Sequence, residues 1–164
     1  MRFFSRLIGC GLLPVAVAAT PFSLSVTPVG SDEPVVTIPL NAMGEWCLHW
    51  QHSVTQFLVR DCFRVDAQGQ LLLHESHQPD FAAGLDHIEG RGELVSDGEG
   101  GYIIQNIDEP VPMNRLHLRV GSMRVDHRIV TSEAVVSLSE RVPGQSVEIK
   151  RVIHNKNSIH GSCQ

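Results

Sequence analysis

The fold of this chain is most readily inferred from two neighbouring runs of sequence, EWCLHWQHSV (Glu45–Val54) and FLVRDCFRV (Phe57–Val65). In both runs apolar side chains recur at every second position, which is the period of a β-strand with one buried face. A tight turn at Val54-Thr55 would pair the runs as a hairpin and place Cys47 directly opposite Cys62. The sequence therefore predicts a cross-strand disulfide, with two separate free thiols as the alternative.

Short alternating runs separated by turn residues continue along the chain, which is typical of an all-β protein. Leu116–Gly121 and Arg124–Thr131 predict a further hairpin that turns near Gly121-Ser122, whereas the Gly- and acid-rich residues 79–100 predict a long loop. We expect an antiparallel β-sandwich or a partly closed barrel of about eight or nine strands. The other candidate strands are Val35–Leu40, Leu71–Glu75, Tyr102–Ile107, Ala134–Leu138 and Ser146–Ile153.

The N-terminus has the pattern of a secretory signal peptide. Arg2 and Arg6 precede an apolar stretch, Leu7–Val17, and small residues then predict cleavage after Ala19. Acylation of Cys10 is the alternative. We therefore expect a signal peptide over residues 1–19, an extended N-terminal segment over 20–34, a single β domain over 35–153 and a flexible tail over 154–164.

Export would place the protein in the periplasm, where disulfides form and persist. Cleavage would remove Arg2 and Arg6 and change the formal net charge from −5 to −7. An acidic domain without a cluster of basic residues is not expected to bind nucleic acid. Because no later stretch is long and apolar enough to span a bilayer, we expect no stable membrane insertion after cleavage. The sequence assigns no partner to Cys163.

The histidines and serines do not form a recognisable catalytic or metal-binding pattern. His49 and His52 are three residues apart on a predicted strand, so their side chains point to opposite faces and do not favour a shared metal. His74 and His77 could converge, but no second pair of ligands follows them. A hydrolase that used Ser53 would lack the usual Gly-x-Ser-x-Gly turn. We expect neither an enzyme nor a cofactor.

Asp61 is the residue that most invites a functional interpretation. By alternation it shares a face with Phe57, Val59 and Phe63, and a carboxylate on an apolar face needs a polar partner. His52 on the neighbouring strand is the expected partner. The pair could be a structural hydrogen bond, or it could line a ligand pocket with Trp50 as one wall.

Several short motifs follow one another along the chain. Trp50-Gln-His-Ser-Val54 is followed by an acidic residue before Phe63, and then by the segments Leu71–Glu75 and Ala82–Leu85. In these motifs the chain resembles a bacterial family catalogued as domain of unknown function 1850. The run from Leu116 to Gly121 and the strand after Pro143 fit the same pattern. The chain departs from it at three positions: Arg60 stands beside Asp61 where acidic pairs are usual, Ala82 replaces a glycine and Asp86 replaces a proline.

This resemblance implies a small exported protein associated with TRAP transporters of the TAXI subtype, without an established enzymatic activity. We therefore expect an accessory role through contact with the transporter subunits or their binding protein. The alternative is a periplasmic module that binds a small ligand such as an organic acid. The expected ligand-binding residues are Trp50, His52, Ser53, Asp61, Glu75, Gly84 and Leu85.

Overall fold

The computed structural model describes residues 22–79 and 90–154, which form two antiparallel β-sheets. The four-stranded sheet has the order β2-β1-β12-β9. Its strands are β1 (Phe22–Pro28), β2 (Val36–Pro39), β9 (Arg115–Arg119) and β12 (Ser146–Ile153). A 3-10 turn at Pro112–Asn114 precedes β9, and a single helical turn, α1 (Leu138–Arg141), leads towards β12.

The eight-stranded sheet has the order β11-β10-β3-β4-β5-β7-β6, with the short strand β8 paired to β5 beside β7. Its strands are β3 (Trp46–Gln51), β4 (Leu58–Val65), β5 (Leu71–Gln78), β6 (Glu93–Ser96), β7 (Tyr102–Gln105), β8 (Glu109–Pro110), β10 (Arg128–Val130) and β11 (Val135–Ser137).

The predicted antiparallel sandwich is confirmed, and neither sheet closes into a barrel. The described residues contain twelve strands instead of about eight or nine. Half of them are only two to four residues long, which is too short for alternation to be visible in the sequence.

The predicted boundary at residue 35 is wrong, because the domain already includes the segment before it. Residues 22–28 are extended, as expected, but they form β1, which pairs with β12 on one side and β2 on the other. Leu24 and Val26 of β1 are fully buried. At the other end of the domain, a 2.8 Å hydrogen bond joins His154 Nε2 to the Ser23 hydroxyl. Residues 155–164 of the expected tail lie outside the described part.

The core lies between the two sheets. Trp46 of β3 stacks on Phe63 of β4, with ring centroids 4.4 Å apart and planes inclined by 15°. Such an aromatic pair contributes about 0.5–1.5 kcal/mol beyond the area that it buries. Apolar side chains of both sheets complete the core, among them Leu24, Val26, Val147 and Ile149 from the four-stranded sheet and Leu48, Leu71 and Ile129 from the eight-stranded sheet.

The hairpin predicted at Gly121-Ser122 is wrong, because the chain changes sheets at this point. Strand β9 pairs with β12, whereas β10 pairs with β3 and β11. A Cβ atom on Gly121 would lie 2.6 Å from the Cβ of Val125, so the close crossing requires glycine. The Nδ1 atom of His127 accepts a 2.9 Å hydrogen bond from the Gly121 N–H and fixes the crossing.

Candidate functional site

The β3–β4 hairpin has the register that the sequence predicts. Cys47 lies opposite Cys62, and their sulfur atoms are bonded to each other, so the predicted disulfide is confirmed. The same register places Leu48 opposite Asp61 and His49 opposite Arg60. Because successive side chains alternate, Leu48 and Asp61 face the other sheet, while the disulfide faces away from it.

His52 holds the turn of this hairpin. Its Nδ1 atom accepts hydrogen bonds of 3.3 Å from the backbone N–H groups of Val54 and Thr55, and it lies 3.1 Å from the Thr55 hydroxyl. The expected pairing of His52 with Asp61 is wrong, because His52 Nδ1 bonds within the turn and Asp61 is bonded to Ser76 of β5. Ser53 is exposed in the same turn.

Trp50, one of the expected ligand-binding residues, belongs to the core side of the hairpin. It lies opposite Val59 and packs against the core, and its ring centroid is 6.4 Å from that of His127. Trp50, His52 and Ser53 follow one another towards the hairpin tip, whereas Asp61 lies further along β4. Gly84 and Leu85 lie outside the described residues.

Asp61 has a partner that the sequence analysis did not identify. The Ser76 hydroxyl on β5 donates a 2.7 Å hydrogen bond to Asp61 Oδ1. Gln78 Nε2 donates to the Ser76 oxygen at 3.1 Å, and the Tyr102 hydroxyl donates to Gln78 Oε1 at 2.8 Å. Four polar side chains thus form a continuous chain of hydrogen bonds across β4, β5 and β7.

Burial raises the pKa of Asp61 above its ordinary value, and the hydrogen bond from Ser76 and the positive charge of Arg91 oppose this increase only in part. The cause is the surroundings: Asp61 and Ser76 interrupt a row of apolar residues that crosses the sheet on its inner face. From β11 to β6 this inner row consists of Val136, Ile129, Leu48, Asp61, Ser76, Ile104 and Leu94.

The outer face of the same strands carries a basic row. Directly paired positions bring Arg128, His49, Arg60 and His77 side by side across β10, β3, β4 and β5. Burial lowers the pKa of His49, and the neighbouring Arg60 and His77 lower it further. His49 is therefore neutral at neutral pH, and the arginines provide the fixed positive charge of the row.

Most charged groups of this outer face already have partners. Arg128 pairs with Asp126 at 2.6 Å, and His77 is hydrogen-bonded to Glu75, an expected ligand-binding residue. Arg60 is exposed and makes no salt bridge or side-chain hydrogen bond within residues 22–79 and 90–154. The sequence contained the signal for this row, because the register that pairs the cysteines also pairs His49 with Arg60.

His74 and His77, considered above as metal ligands, bind separate carboxylates. A bulge between Cys62 and Phe63 leaves His74 as the extra residue of β5, and its Nδ1 atom lies 2.8 Å from Asp108. Asp108 also accepts a 2.8 Å hydrogen bond from Arg64. Across the two described ranges, no group of three or more His, Cys, Asp and Glu side chains is placed to hold a metal ion.

An open cavity of about 540 Å³ lies beside Arg60 on the outer face. Strands β4, β5 and β7 form its floor, and the hairpin tip and the turn between β6 and β7 form its walls. Arg60 and His77 of the strands line it together with Asp97 and Glu99 of the turn. This cavity was not predicted, because its acidic wall comes from the segment that the sequence indicated only as a loop.

The hairpin, the basic row and the cavity all belong to the part of the chain that matches a known family. The family model of domain of unknown function 1850 matches residues 47–138. The chain belongs to this family. Comparison with curated proteins and with solved structures finds no match.

The family match covers most of the eight-stranded sheet. It begins at Cys47 in β3 and ends at Leu138, directly after β11, so it also includes β9 of the four-stranded sheet. Strands β1, β2 and β12 lie outside it. Among the described residues, no helix has the length and hydropathy needed to cross a membrane.

Proposed function

We propose that this member of the domain of unknown function 1850 family is a non-enzymatic periplasmic accessory of a TAXI-type TRAP transporter and acts by protein contact. Membership of the family supports the association, as the resemblance implies. The secretory pattern of residues 1–19 and the Cys47–Cys62 disulfide support an oxidising compartment outside the cytoplasm.

The observation that carries a contact role is a group of exposed apolar side chains at one end of the sandwich, here called the tip patch. Its members are exposed by 38–77%, and they are Val54, Phe57, Leu58 and Met123. They come from the β3–β4 turn, from the first residue of β4 and from the loop between β9 and β10. A 2.6 Å hydrogen bond from the Gln51 N–H to the Val125 carbonyl joins the two segments.

Exposed apolar groups scattered singly are ordinary, but several at one end of a domain favour a binding surface. Phe57 is aromatic, and Arg60 follows it closely in sequence. This composition matches that of protein interfaces, in which aromatic and arginine side chains provide much of the affinity. We therefore assign the transporter contact to the tip patch, with a transporter subunit or its binding protein as the partner.

Co-purification tests this proposal. The tagged protein is produced together with the membrane subunits and the binding protein of a TAXI-type transporter, and it should capture at least one of them. Replacing Val54 and Met123 with serine removes apolar contact area from both loops, and we expect it to lower capture by about tenfold. The matched control is Met43→Ser, which changes an exposed residue at the opposite end of β3.

Failure of the unaltered protein to capture any transporter component would contradict the accessory role. Equal loss of capture in Met43→Ser and in the Val54→Ser/Met123→Ser variant would place the contact outside the tip patch. Melting temperatures of both variants establish that the proteins compared are folded.

A further inference from the structure

The lining of the cavity beside Arg60 carries charges of both signs. Arg60 projects from β4, and Glu99 belongs to the turn that joins β6 to β7. Strand β5 lies between β4 and β7, so the backbones of β4 and β7 are roughly 10 Å apart at the usual strand spacing. Flexible arginine and glutamate side chains can reach into the space between them.

Arg60 and Glu99 are also the charged lining residues that have no side-chain partner within residues 22–79 and 90–154. His77 is hydrogen-bonded to Glu75. Asp97 accepts hydrogen bonds of 2.8 and 2.9 Å from the backbone N–H groups of Glu99 and Gly101. One positive and one negative group therefore remain available to a ligand.

The acidic wall is held in place by its own backbone. A Cβ atom at Gly101 would lie 2.5 Å from Asp97 Oδ2 and 3.0 Å from the Cα of Pro79, so glycine allows the turn to pack against the end of β5. The Asp97 carboxylate accepts the hydrogen bonds from the Glu99 and Gly101 N–H groups within this turn. The turn that carries Glu99 is thus preorganised next to the cavity, which reduces the entropy cost of binding.

The lining of the cavity also includes apolar side chains. Phe57, Leu58 and Ile103 line the same cavity, and Phe57 and Leu58 are exposed although they are large and apolar. Binding sites for small molecules combine apolar walls with a few polar groups that fix orientation. This cavity has that composition, with a polar group of each sign.

We propose that the cavity binds a zwitterion with an apolar body, namely an amino acid or a short peptide. Its carboxylate pairs with the Arg60 guanidinium, its ammonium group pairs with the Glu99 carboxylate, and its side chains cover Phe57, Leu58 and Ile103. A ligand with one charge would leave Arg60 or Glu99 without a partner. This inference goes beyond the proposed function and does not depend on it.

Calorimetric titration of the purified protein tests the site with L-leucine and L-leucyl-L-leucine, which distinguish an amino acid from a peptide. N-acetyl-L-leucine lacks the positive charge, and L-leucinamide lacks the negative charge. We expect saturable binding of at least one zwitterion and at least about tenfold weaker binding of both singly charged analogues, because each loses a charge-assisted hydrogen bond.

Two variants and two matched controls complete the test. Arg60→Gln and Glu99→Gln should each raise the Kd of the zwitterion by at least about tenfold. Arg124→Gln and Glu133→Gln remove exposed charges that do not line the cavity, and they should change the Kd by less than about twofold.

Absence of saturable binding of both zwitterions to the folded protein would overturn the proposal. It would also be overturned if either singly charged analogue bound as tightly as the zwitterion, or if Arg60→Gln or Glu99→Gln left the Kd unchanged. The Val54→Ser/Met123→Ser variant alters the tip patch outside the cavity lining, so it should bind the zwitterion normally. Loss of transporter capture and loss of ligand binding are therefore distinguishable.

Discussion

The two faces of strand β4 differ in whether their polar side chains have partners within the fold. On the inner face, Asp61 is surrounded by an apolar row, and the Ser76 hydroxyl provides its hydrogen bond. On the outer face, Arg60 is the immediate neighbour of Asp61 in sequence and is exposed without a partner among the described residues. The carboxylate of Asp61 is therefore satisfied within the fold, whereas the guanidinium of Arg60 remains available for binding.

The largest expected difference between the faces concerns neighbouring residues of β3. Leu48 is only 5% exposed and packs in the core, so Leu48→Ala should lower the free energy of unfolding by about 2–5 kcal/mol. His49 occupies the outer row, and His49→Ala should change the same quantity by less than about 0.5 kcal/mol. Urea denaturation of both variants measures the difference. Similar losses would contradict the division of the sheet into a stabilising face and a binding face.

The disulfide also lies on the outer face, but unlike His49 it is expected to contribute substantially to the free energy of unfolding. It joins residues separated by 15 positions, and a closed loop of that length stabilises a fold by about 3 kcal/mol through the unfolded chain. We expect the Cys47→Ala/Cys62→Ala variant to lose about this free energy of unfolding, as measured by urea denaturation without reductant. Addition of reductant to the unaltered protein is the control and should produce a similar loss. Retention of full stability in the double variant would contradict the expected stabilisation by the disulfide.

The smallest expected effect concerns the charge of Asp61. Because the pKa of Asp61 is raised on folding, the folded protein keeps this proton at pH values where the unfolded chain has released it. Stability should therefore fall as pH rises from the ordinary value of 3.8 through the raised value, and Asp61→Asn, which still offers an oxygen to Ser76, should not show this component.

Urea denaturation at several values between about pH 4 and pH 7 measures this effect. The stability of Asp61→Asn relative to the unaltered protein should increase with pH over this interval. Glu133→Gln, which removes an exposed carboxylate, is the control and should follow the unaltered protein. Parallel profiles for Asp61→Asn and the unaltered protein would show that burial of Asp61 does not alter its titration.

The sequence predicts the β3–β4 hairpin well because local information determines it. Alternation assigns the two strands, and a short turn fixes their register, so Cys47 and Cys62 could be paired from residue numbers alone. The hydrogen-bonding partner of Asp61 could not be found in this way. Ser76 is on β5, beyond a bulge that shifts the register between Cys62 and Phe63. The local alternation of side chains does not indicate this bulge.

Pairings between distant segments were equally difficult to predict. Leu116–Gly121 and Arg124–Thr131 alternate like two arms of a hairpin, but their strands belong to different sheets. The cavity needed still more information, since it combines β4, β5 and β7 with the turn that carries Glu99. Its residues become neighbours only after the order of strands in the sheet is known.

The pairing of β1 with β12 has a consequence for the order in which the protein folds. Phe22 lies opposite Ile153, so the two central strands of the four-stranded sheet come from opposite ends of the described chain. Strand β1 has no β12 to pair with until residues as late as 153 have reached the compartment in which the protein folds. A domain whose sheet depends on such distant contacts folds slowly, because a long loop must close before these contacts contribute stability. The core is therefore completed only when the last strand of the described chain has joined the first.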